Sequence, residues 1–202
     1  MENCLMFNGQ AVPITEDQVK EIARILGVKQ TKLADVKVGD TFKVGDYEFI
    51  VLEQSGDTTA VILKDLLYDN KQFGKNNNYA KSYVDDICSD FATNVAKIIG
   101  KKNLVEHSVD LTSDDGLKDY GKITRSASLL TTELYRRYVY ILDKYKIKKW
   151  WWLATPYSTP THEDSSWIKC VAPYGYVNYD DYYRNNCGVR PFCIFDSSIF
   201  VS

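Results

Sequence analysis

Apolar residues recur every three or four positions in three stretches of the chain, and this spacing predicts three amphipathic helices. The first stretch is "ITEDQVKEIARILG", where Thr15 and Gln18 fit a capping box and Gly27 ends the pattern. The third is "LLTTELYRRYVYILDKYKI", whose Tyr135 and Tyr138 are expected to pack inside the protein. The second is "SYVDDICSDFATNVAKIIG", which places six apolar residues on one helix face: Val84, Ile87, Cys88, Phe91, Val95 and Ile98.

Two other stretches alternate with a period of two, which predicts strands. The stretch "VGDTFKVGDYEFIVLEQSGDTTAVILKDLL" carries Gly-Asp turns at Gly39, Gly45 and Gly56, and it predicts a three-stranded meander. From Trp150 onward, "WWWLATP", "SSWIKCVAP", "GYVNYDDYY" and "GVRPFCIFDSS" predict four short strands. The three consecutive tryptophans should divide alternately between core and surface, and the asparagines at 76–78 are expected to cap the second helix. Together these elements predict a single α+β domain.

Composition narrows the classes of function. The 202 residues are 45% hydrophobic and 26% charged, which is typical of soluble globular proteins. A net charge of -2 supplies no general attraction for a phosphate backbone, so we expect no nucleic-acid partner; the basic "KYKIKKWWW" is interpreted as a helix end. No run approaches the 18 apolar residues of a spanning helix, and "MENCLMFNGQ" lacks the features of a signal peptide. We therefore expect that the protein is synthesised in the cytoplasm and does not insert into a membrane. Its final location stays open, and association with a virion is one possibility.

The sequence offers little for catalysis or for metal binding. There are two histidines, and "TPTHEDSS" around His162 is interpreted as a solvated loop rather than a catalytic base. The five cysteines are odd in number and show no C-x-x-C spacing, which favours free thiols over zinc or disulfides. Phosphate-binding glycine motifs are absent. We predict no catalytic residue, no metal and no cofactor, although calcium binding at Asp180 and Asp181 stays open because carboxylate oxygens suit that ion.

The stretch "YGYVNYDDYYRNNCGVRP" is unusually rich in tyrosine, asparagine and aspartate. Tyrosine provides a large contact surface with few rotatable bonds, and asparagine provides adaptable hydrogen bonds, which together are typical of binding surfaces. In a strand, Tyr174, Tyr176 and Asn178 would share one face and Tyr179 would lie on the other. At least one aromatic row is therefore expected to be exposed, the alternative being that the rings cover the tryptophan run.

The meander, "WWWLATP" and "GVRPFCIF" together resemble uncharacterised bacterial and phage domains that end in W-W-L-R-S-P and G-V-R-P, and the resemblance covers roughly residues 36–199. The ending is also similar to that of the C-type-lectin fold in formylglycine-generating enzymes and in the variable proteins of diversity-generating retroelements. In those variable proteins adenine mutagenesis changes asparagine codons into tyrosine, aspartate, serine and related codons, a spectrum that "NYDDYYRNN" matches. Ala154 stands where the family has arginine, and the copper-binding cysteine pair of the enzymes has no counterpart here.

The resemblance implies a C-type-lectin-like domain at 36–202 with a variable, ligand-binding region at 157–187, preceded by a helical extension at 1–35 packed on the domain. It assigns scaffold roles to Trp151, Gly188, Arg190 and Pro191, with the Arg190 head group hydrogen-bonded and Gly188 permitting a turn. The implied ligand-facing residues are Ser165, Ser166, Tyr174, Tyr176, Asn178, Tyr179, Asp180, Asp181, Tyr182, Tyr183, Asn185 and Asn186.

The predicted function is non-catalytic binding of a protein or glycan, as in a hypervariable receptor-binding protein of a phage or gut bacterium. Two alternatives stay open: an enzyme related to the formylglycine-generating oxidases, in which Cys187 or Cys193 would matter, and a structural virion or housekeeping protein.

Overall fold

Three helices and a series of short strands make up the part of the chain that the computed structural model describes, residues 4–7, 10–25 and 31–202. The protein is a mixed α+β structure, mostly sheet, which confirms the predicted class. The helices are α1 (Glu16–Ile25), α2 (Tyr83–Ile99) and α3 (Thr132–Leu142). None of the helices in the described ranges is long and apolar enough to cross a membrane.

Side-chain caps fix where the helices begin. Thr15 N donates to Gln18 Oε1 at 2.8 Å and Gln18 N donates to Thr15 Oγ1 at 3.2 Å, which confirms the predicted capping box before α1. Ser82 and Thr131 accept from backbone N–H groups at the starts of α2 and α3. The predicted end of α1, Gly27, lies outside the described residues.

The predicted meander forms one half of a six-stranded sheet. Strands β4, β5 and β6 pair antiparallel through the predicted turns, and β6 pairs with β16, which also contacts β8 and β11. Two separate hairpins, β1–β2 and β9–β10, and the pair β3–β17 complete this part. The bounds are β1 Cys4–Phe7, β2 Gln10–Pro13, β3 Thr31–Lys32, β4 Thr41–Val44, β5 Tyr47–Ser55, β6 Thr58–Leu63, β8 Leu104–Val105, β9 His107–Asp110, β10 Lys122–Arg125, β11 Ala127–Ser128, β16 Phe192–Asp196 and β17 Phe200–Val201.

The C-terminal strands form a second sheet of five strands in the order β14, β13, β12, β15, β7. Only β12 and β15 run parallel, with Trp151 opposite Gly188; the other neighbours are antiparallel. Strand β14 therefore lies at an edge of this sheet. The bounds are β7 Tyr68–Lys71, β12 Trp151–Pro156, β13 Trp167–Val171, β14 Val177–Asp181 and β15 Cys187–Val189.

Three clusters of buried side chains fill the interior. The first joins the six-stranded sheet to α2 through Phe49, Phe91 and Phe195. The second joins α2 to one face of the five-stranded sheet, and the third joins the opposite faces of both sheets to α3. Tyr135 and Tyr138 are buried in the third cluster, which confirms the expectation that they pack inside.

The tryptophan run does not divide between core and surface as predicted. Trp152 lies in the second cluster and Trp151 in the third, so both faces of β12 are buried. When a sheet is covered on both sides, its central strand has no row of exposed side chains. The alternation of residues along the sequence does not reveal this. Trp150, just before the strand, is half-buried.

One other prediction fails locally. Ile98 of α2 is half-exposed rather than in the core, and its side chain rests against the turn at Gly45. At the N-terminal side, Thr31–Lys32 pairs with Phe200–Val201 and Leu33 is buried in the first cluster. The predicted boundary between residues 35 and 36 stays a prediction.

Candidate ligand-binding surface

The twelve predicted ligand-facing residues lie on one edge of the second sheet. Ser165 and Ser166 precede β13, Tyr174 and Tyr176 lie in the turn between β13 and β14, and the other eight belong to β14 or to the loop that follows it. Most are exposed or half-buried; Tyr174 is 80% exposed and Tyr179 is 43% exposed. Tyr182 is different because its side chain packs against the second core cluster.

The register of β13 with β14 divides these residues between two faces. Tyr179 pairs with Lys169 across the ladder, whereas Asn178 pairs with the buried Cys170 on the opposite face. Tyr174 lies in the turn, so the predicted strand alternation does not apply to it. Tyr176 contacts the half-buried Trp150, with ring centroids 6.3 Å apart.

On the Tyr179 face, three aromatic side chains form a cluster that we call the aromatic platform: Tyr157, Trp167 and Tyr179. Their ring centroids are 5.5 Å apart for Tyr157 and Trp167, 4.9 Å for Tyr157 and Tyr179, and 5.0 Å for Trp167 and Tyr179. The indole N–H of Trp167 donates to Asp181 Oδ1 at 3.0 Å, which fixes the orientation of a ring that is 36% exposed. The platform is thus an ordered aromatic surface in contact with solvent.

A buried lysine supports the platform from within. The Lys169 side chain is only 9% exposed, and its Nζ lies 5.5 Å from the Tyr157 ring centroid and 6.0 Å from that of Tyr179. The same Nζ donates to Asp114 Oδ2 at 3.0 Å. A buried charge needs both pairing and hydrogen bonding, and Lys169 has them from one carboxylate and two ring faces. This contact ties the loop after β9 to the second sheet.

Next to the platform is an open pocket of about 300 Å³. One of its lining residues is Asp115, whose carboxylate accepts from Ser158 Oγ at 2.6 Å and contacts His162 Nδ1 at 2.9 Å. Partial burial acts to raise the pKa of Asp115, but hydrogen bonds from Ser113, Ser158 and His162 outweigh it and hold the pKa well below its ordinary value. The pocket is lined by Asp114, Asp115, Tyr157, Ser158, His162 and Asp164.

His162 is exposed, as expected for a loop histidine, yet it is not simply solvated because Asp115 orients its ring. Ser158 donates to the carboxylate rather than to the imidazole. The three side chains therefore do not form a serine, histidine and aspartate relay, in which the imidazole stands between the other two groups.

Asn77 holds the base of the platform, which corrects the prediction that the asparagine run caps the second helix. Ser82 caps α2 instead, and Asn78 caps the short 3-10 helix before it. Asn77 is fully buried, and its Nδ2 donates to Ser158 O and Trp167 O, both at 2.9 Å. Its Oδ1 accepts from Tyr120 OH at 2.7 Å. One amide thus satisfies backbone groups on both sides of the loop between β12 and β13.

Strand β14 has an open edge. Tyr182 N donates to Ser166 O, and the register continues this series of backbone bonds through Asp180. Backbone bonding directions alternate along an antiparallel strand, so Tyr179 and Asp181 direct their N–H groups away from β13. Such groups on an edge strand invite pairing with another chain.

Neighbouring side chains cover these two outward N–H groups. Tyr179 N donates to Asn178 Oδ1 and Asp181 N donates to Asp180 Oδ1, both at 2.9 Å. Asn178 and Asp180 therefore have a structural role at the edge, whatever else they contact. Part of the asparagine and aspartate content of the stretch follows from this role.

The segment from Gly188 to Pro191 joins the two sheets. Arg190 is buried, donates from Nε to Leu63 O and from Nη2 to Lys64 O, both at 2.8 Å, and lies 5.2 Å from the Trp151 ring. Burial lowers the pKa of Arg190 to about 10. Gly188 does not serve a turn: a Cβ there would come within 2.4 Å of Leu66 Cδ1 and 2.8 Å of Tyr68 O. Close packing, rather than backbone conformation, excludes a side chain at this position.

Cysteine and metal chemistry find little support in the described residues. Cys187 lies in the second core cluster and Cys193 in the first, so they do not form a pair. The pKa of Cys187 is raised mainly by a hydrogen bond with Cys170 and secondly by burial, and the pKa of Cys193 is raised by burial. Ala154, where the domains that this sequence resembles have arginine, is fully buried. No group of histidine, cysteine, aspartate or glutamate side chains within the described ranges is arranged to hold a metal ion, Asp180 and Asp181 included.

Comparisons with protein-family models, with curated proteins and with solved structures each found no match to this chain. The functional assignment therefore depends on the chemistry of the surface itself. The sequence predicted individual ligand contacts between residues 165 and 186 only. Tyr157, Trp167 and Lys169 lie inside the predicted region 157–187 but were not singled out, and the aspartates at 114 and 115 lie outside it. No local pattern marks these residues, because the contacts that unite them join distant parts of the chain: Lys169 and Asp114 are 55 positions apart.

Proposed function

We propose that this protein is a non-catalytic binding protein whose aromatic platform contacts a protein or glycan ligand. The observation that carries the proposal is that the exposed rings of Trp167 and Tyr179 and the half-buried ring of Tyr157 pack against one another at the surface. Rigid aromatic side chains contribute large contact areas at low entropic cost when a ligand binds. A surface that needed only to be soluble would gain nothing from three adjacent aromatic rings.

The scaffold that we propose is C-type-lectin-like. Support comes from the resemblance at G-V-R-P and from the position of that motif between the two sheets. Gly188 and Val189 belong to β15 in the five-stranded sheet, and Phe192 is the first residue of β16 in the six-stranded sheet. Arg190 bridges the two sheets through Leu63 O and Lys64 O. A clamp at this point would leave the loop before it free to vary in sequence.

We further propose that the gene is a diversity-generating retroelement target of a phage or gut bacterium. Support comes from the residue spectrum of "NYDDYYRNN" and from the exposure of Tyr183, Asn185 and Asn186 in the loop after β14. The test is the genomic neighbourhood, which should hold a reverse transcriptase and a repeat that differs from the end of this gene at adenines. Absence of both rejects the retroelement assignment and leaves the binding proposal in place.

The cysteine-based enzyme is the weaker alternative. A thiolate is the reactive form of cysteine, and buried thiols with raised pKa values disfavour it. If Cys187→Ser or Cys193→Ser abolished a measurable oxidation, the enzyme assignment would replace the binding proposal.

The experiment that tests the platform compares three forms of the protein on the same glycan array and the same displayed peptide library. We expect wild-type protein and Tyr140→Ala to select the same ligands, because Tyr140 is 86% exposed on α3 and lies outside the platform. The affinity of the double variant Trp167→Ala/Tyr179→Ala for those ligands should be at least about tenfold weaker, as expected for aromatic hot-spot residues. Ligands that bind all three forms equally would contradict the proposal.

A further inference from the structure

The pocket beside the platform is negatively charged. Three of its six lining residues are carboxylates, and His162 supplies the one basic side chain among them. Asp114 is paired with Lys169, but neither Asp115 nor Asp164 has a lysine or arginine within ion-pair distance in the described part of the chain. Hydroxyl donors stabilise the charge of Asp115 without cancelling it. A cationic ligand group therefore fits this pocket by charge, and an anionic one does not.

Two of these carboxylates retain acceptor capacity. Asp164 Oδ1 accepts from Ser166 N at 2.8 Å, while no donor among the described residues reaches its second oxygen. Asp114 Oδ1 is 3.9 Å from Arg136 Nη2, which is longer than a hydrogen bond. Two carboxylate oxygens at the pocket are thus available to a donor from outside.

The aromatic wall narrows the kind of cation. Tyr157 lines the pocket and also belongs to the platform, so a group in the pocket has aromatic surface beside it. The internal contact of Lys169 with Tyr157 and Tyr179 shows that a cation is accommodated against these rings. A planar guanidinium combines stacking on aromatic rings with paired donors for carboxylates, which a compact ammonium or a metal ion does not.

We infer that the pocket receives an arginine side chain, so that the partner is a protein segment anchored by arginine while its neighbouring residues cover Trp167 and Tyr179. This inference rests on the proposed function and specifies its ligand. An anchor residue in a pocket at the edge of an aromatic patch is a common arrangement of interface hot spots.

The test uses N-acetylarginine amide as the probe and its neutral isostere, N-acetylcitrulline amide, as the matched ligand. Both are titrated into ¹⁵N-labelled full-length protein, and the amide resonances of residues 157–167 and the Trp167 indole resonance are followed. We expect saturable shifts with the arginine probe and affinity for citrulline weaker by about tenfold, because citrulline lacks the charge-assisted hydrogen bonds.

Two isosteric variants provide the matched protein control. Asp164→Asn removes the charge but keeps an oxygen that can accept from Ser166 N, so the fold is retained. Glu163→Gln makes the same change in net charge at the adjacent residue, which does not line the pocket. We expect Asp164→Asn to weaken the arginine probe about tenfold and Glu163→Gln to have less than a twofold effect. Equal affinities for arginine and citrulline, or equal effects of the two variants, would overturn the inference.

The same experiments separate this inference from the proposed function. If the arginine probe fails while Trp167→Ala/Tyr179→Ala still removes ligands selected from the glycan array or the peptide library, the platform binds a ligand without an arginine anchor. If the probe binds and those selected ligands do not depend on the platform, the pocket is the binding site and the platform proposal is wrong.

Discussion

The two ends of the β13–β14 hairpin carry tyrosines of very different physical character. At the hairpin tip, which we define as Tyr174 and Tyr176, the rings are largely exposed and one of them touches Trp150. In the platform, each ring contacts two others, the indole N–H is hydrogen-bonded, and a buried lysine lies beneath. The difference shows that exposed tyrosine alone does not define a preorganised surface; the buried contacts beneath the rings do.

The largest effect is expected from the amide beneath the platform. Asn77→Ala removes the amide donors to Ser158 O and Trp167 O and the acceptor of Tyr120 OH, and Trp167 O keeps only its bond from Tyr157 N; the loss should cost about 3 kcal/mol of unfolding free energy. Urea unfolding followed by circular dichroism measures it. Asn78→Ala is the matched control, because it removes one capping bond of a 3-10 helix and should cost about 1 kcal/mol. Equal costs would mean that Asn77 does not hold the platform.

A second comparison uses Lys169, beneath the platform, and Lys146, which follows α3 and lies against Gly175 at the hairpin tip. Lys169→Met should cost about 2 kcal/mol, because Asp114 loses its buried partner and the two tyrosine rings lose a cation. Lys146→Met near the tip breaks an ion pair with Asp143 at 3.3 Å in which both side chains are about half exposed, and it should cost less than about 0.5 kcal/mol. The midpoints of urea denaturation report both values. A Lys169→Met protein as stable as wild type would mean that the lysine does not support the rings.

Tyrosine truncation gives a smaller contrast. Tyr179→Ala should destabilise the protein by about 1 kcal/mol, because its ring packs on Tyr157 and Trp167. Tyr174→Ala, at 80% exposed, should change stability by less than about 0.5 kcal/mol. Thermal denaturation of the two variants in parallel tests the contrast, and the reverse order of stabilities would contradict it.

The smallest effect on the folded monomer is expected at the strand edge. The double variant Asn178→Ala/Asp180→Ala uncovers the N–H groups of Tyr179 and Asp181, which should promote pairing between copies of the protein. Sedimentation velocity over a range of concentrations should show association that wild-type protein lacks. Asn185→Ala, in the exposed loop that follows, serves as the control and should remain like wild type. A double variant that stays as monodisperse as this control would mean that the two side chains do not protect the edge.

Local rules predicted much of the fold. The capping box at Thr15 and Gln18, the meander turns at Gly45 and Gly56 and the apolar face of α2 from Val84 to Val95 depend on neighbours in sequence, and all are present. The prediction that the tryptophan run divides between core and surface was wrong, because the burial of both faces of β12 depends on how the helices pack on the two sheets. The prediction for Ile98 was also wrong, because helical spacing does not show which residues of the last turn the rest of the fold covers.

The site was predicted only in outline. The composition of residues 174–186 indicated an exposed tyrosine surface, and Tyr179 lies on the platform. The other determinants come together through pairs far apart in the chain, such as Ser158 with Asp115 and Asn77 with Trp167. Nothing in the local sequence of Asp114 or Asn77 distinguishes a buried partner from a loop residue, so these roles required the tertiary structure.

We predict that the platform is ordered before any ligand binds. The most direct test is the ¹⁵N relaxation order parameter of the Trp167 indole N–H in the free protein, with two other tryptophans as internal references. Trp152 is buried and its indole donates to Lys71 O at 2.7 Å, so it defines the rigid limit, and half-buried Trp150 provides an intermediate case. We predict an order parameter for Trp167 close to that of Trp152, about 0.85. A value below about 0.6, or below that of Trp150, would show a mobile ring and contradict the account.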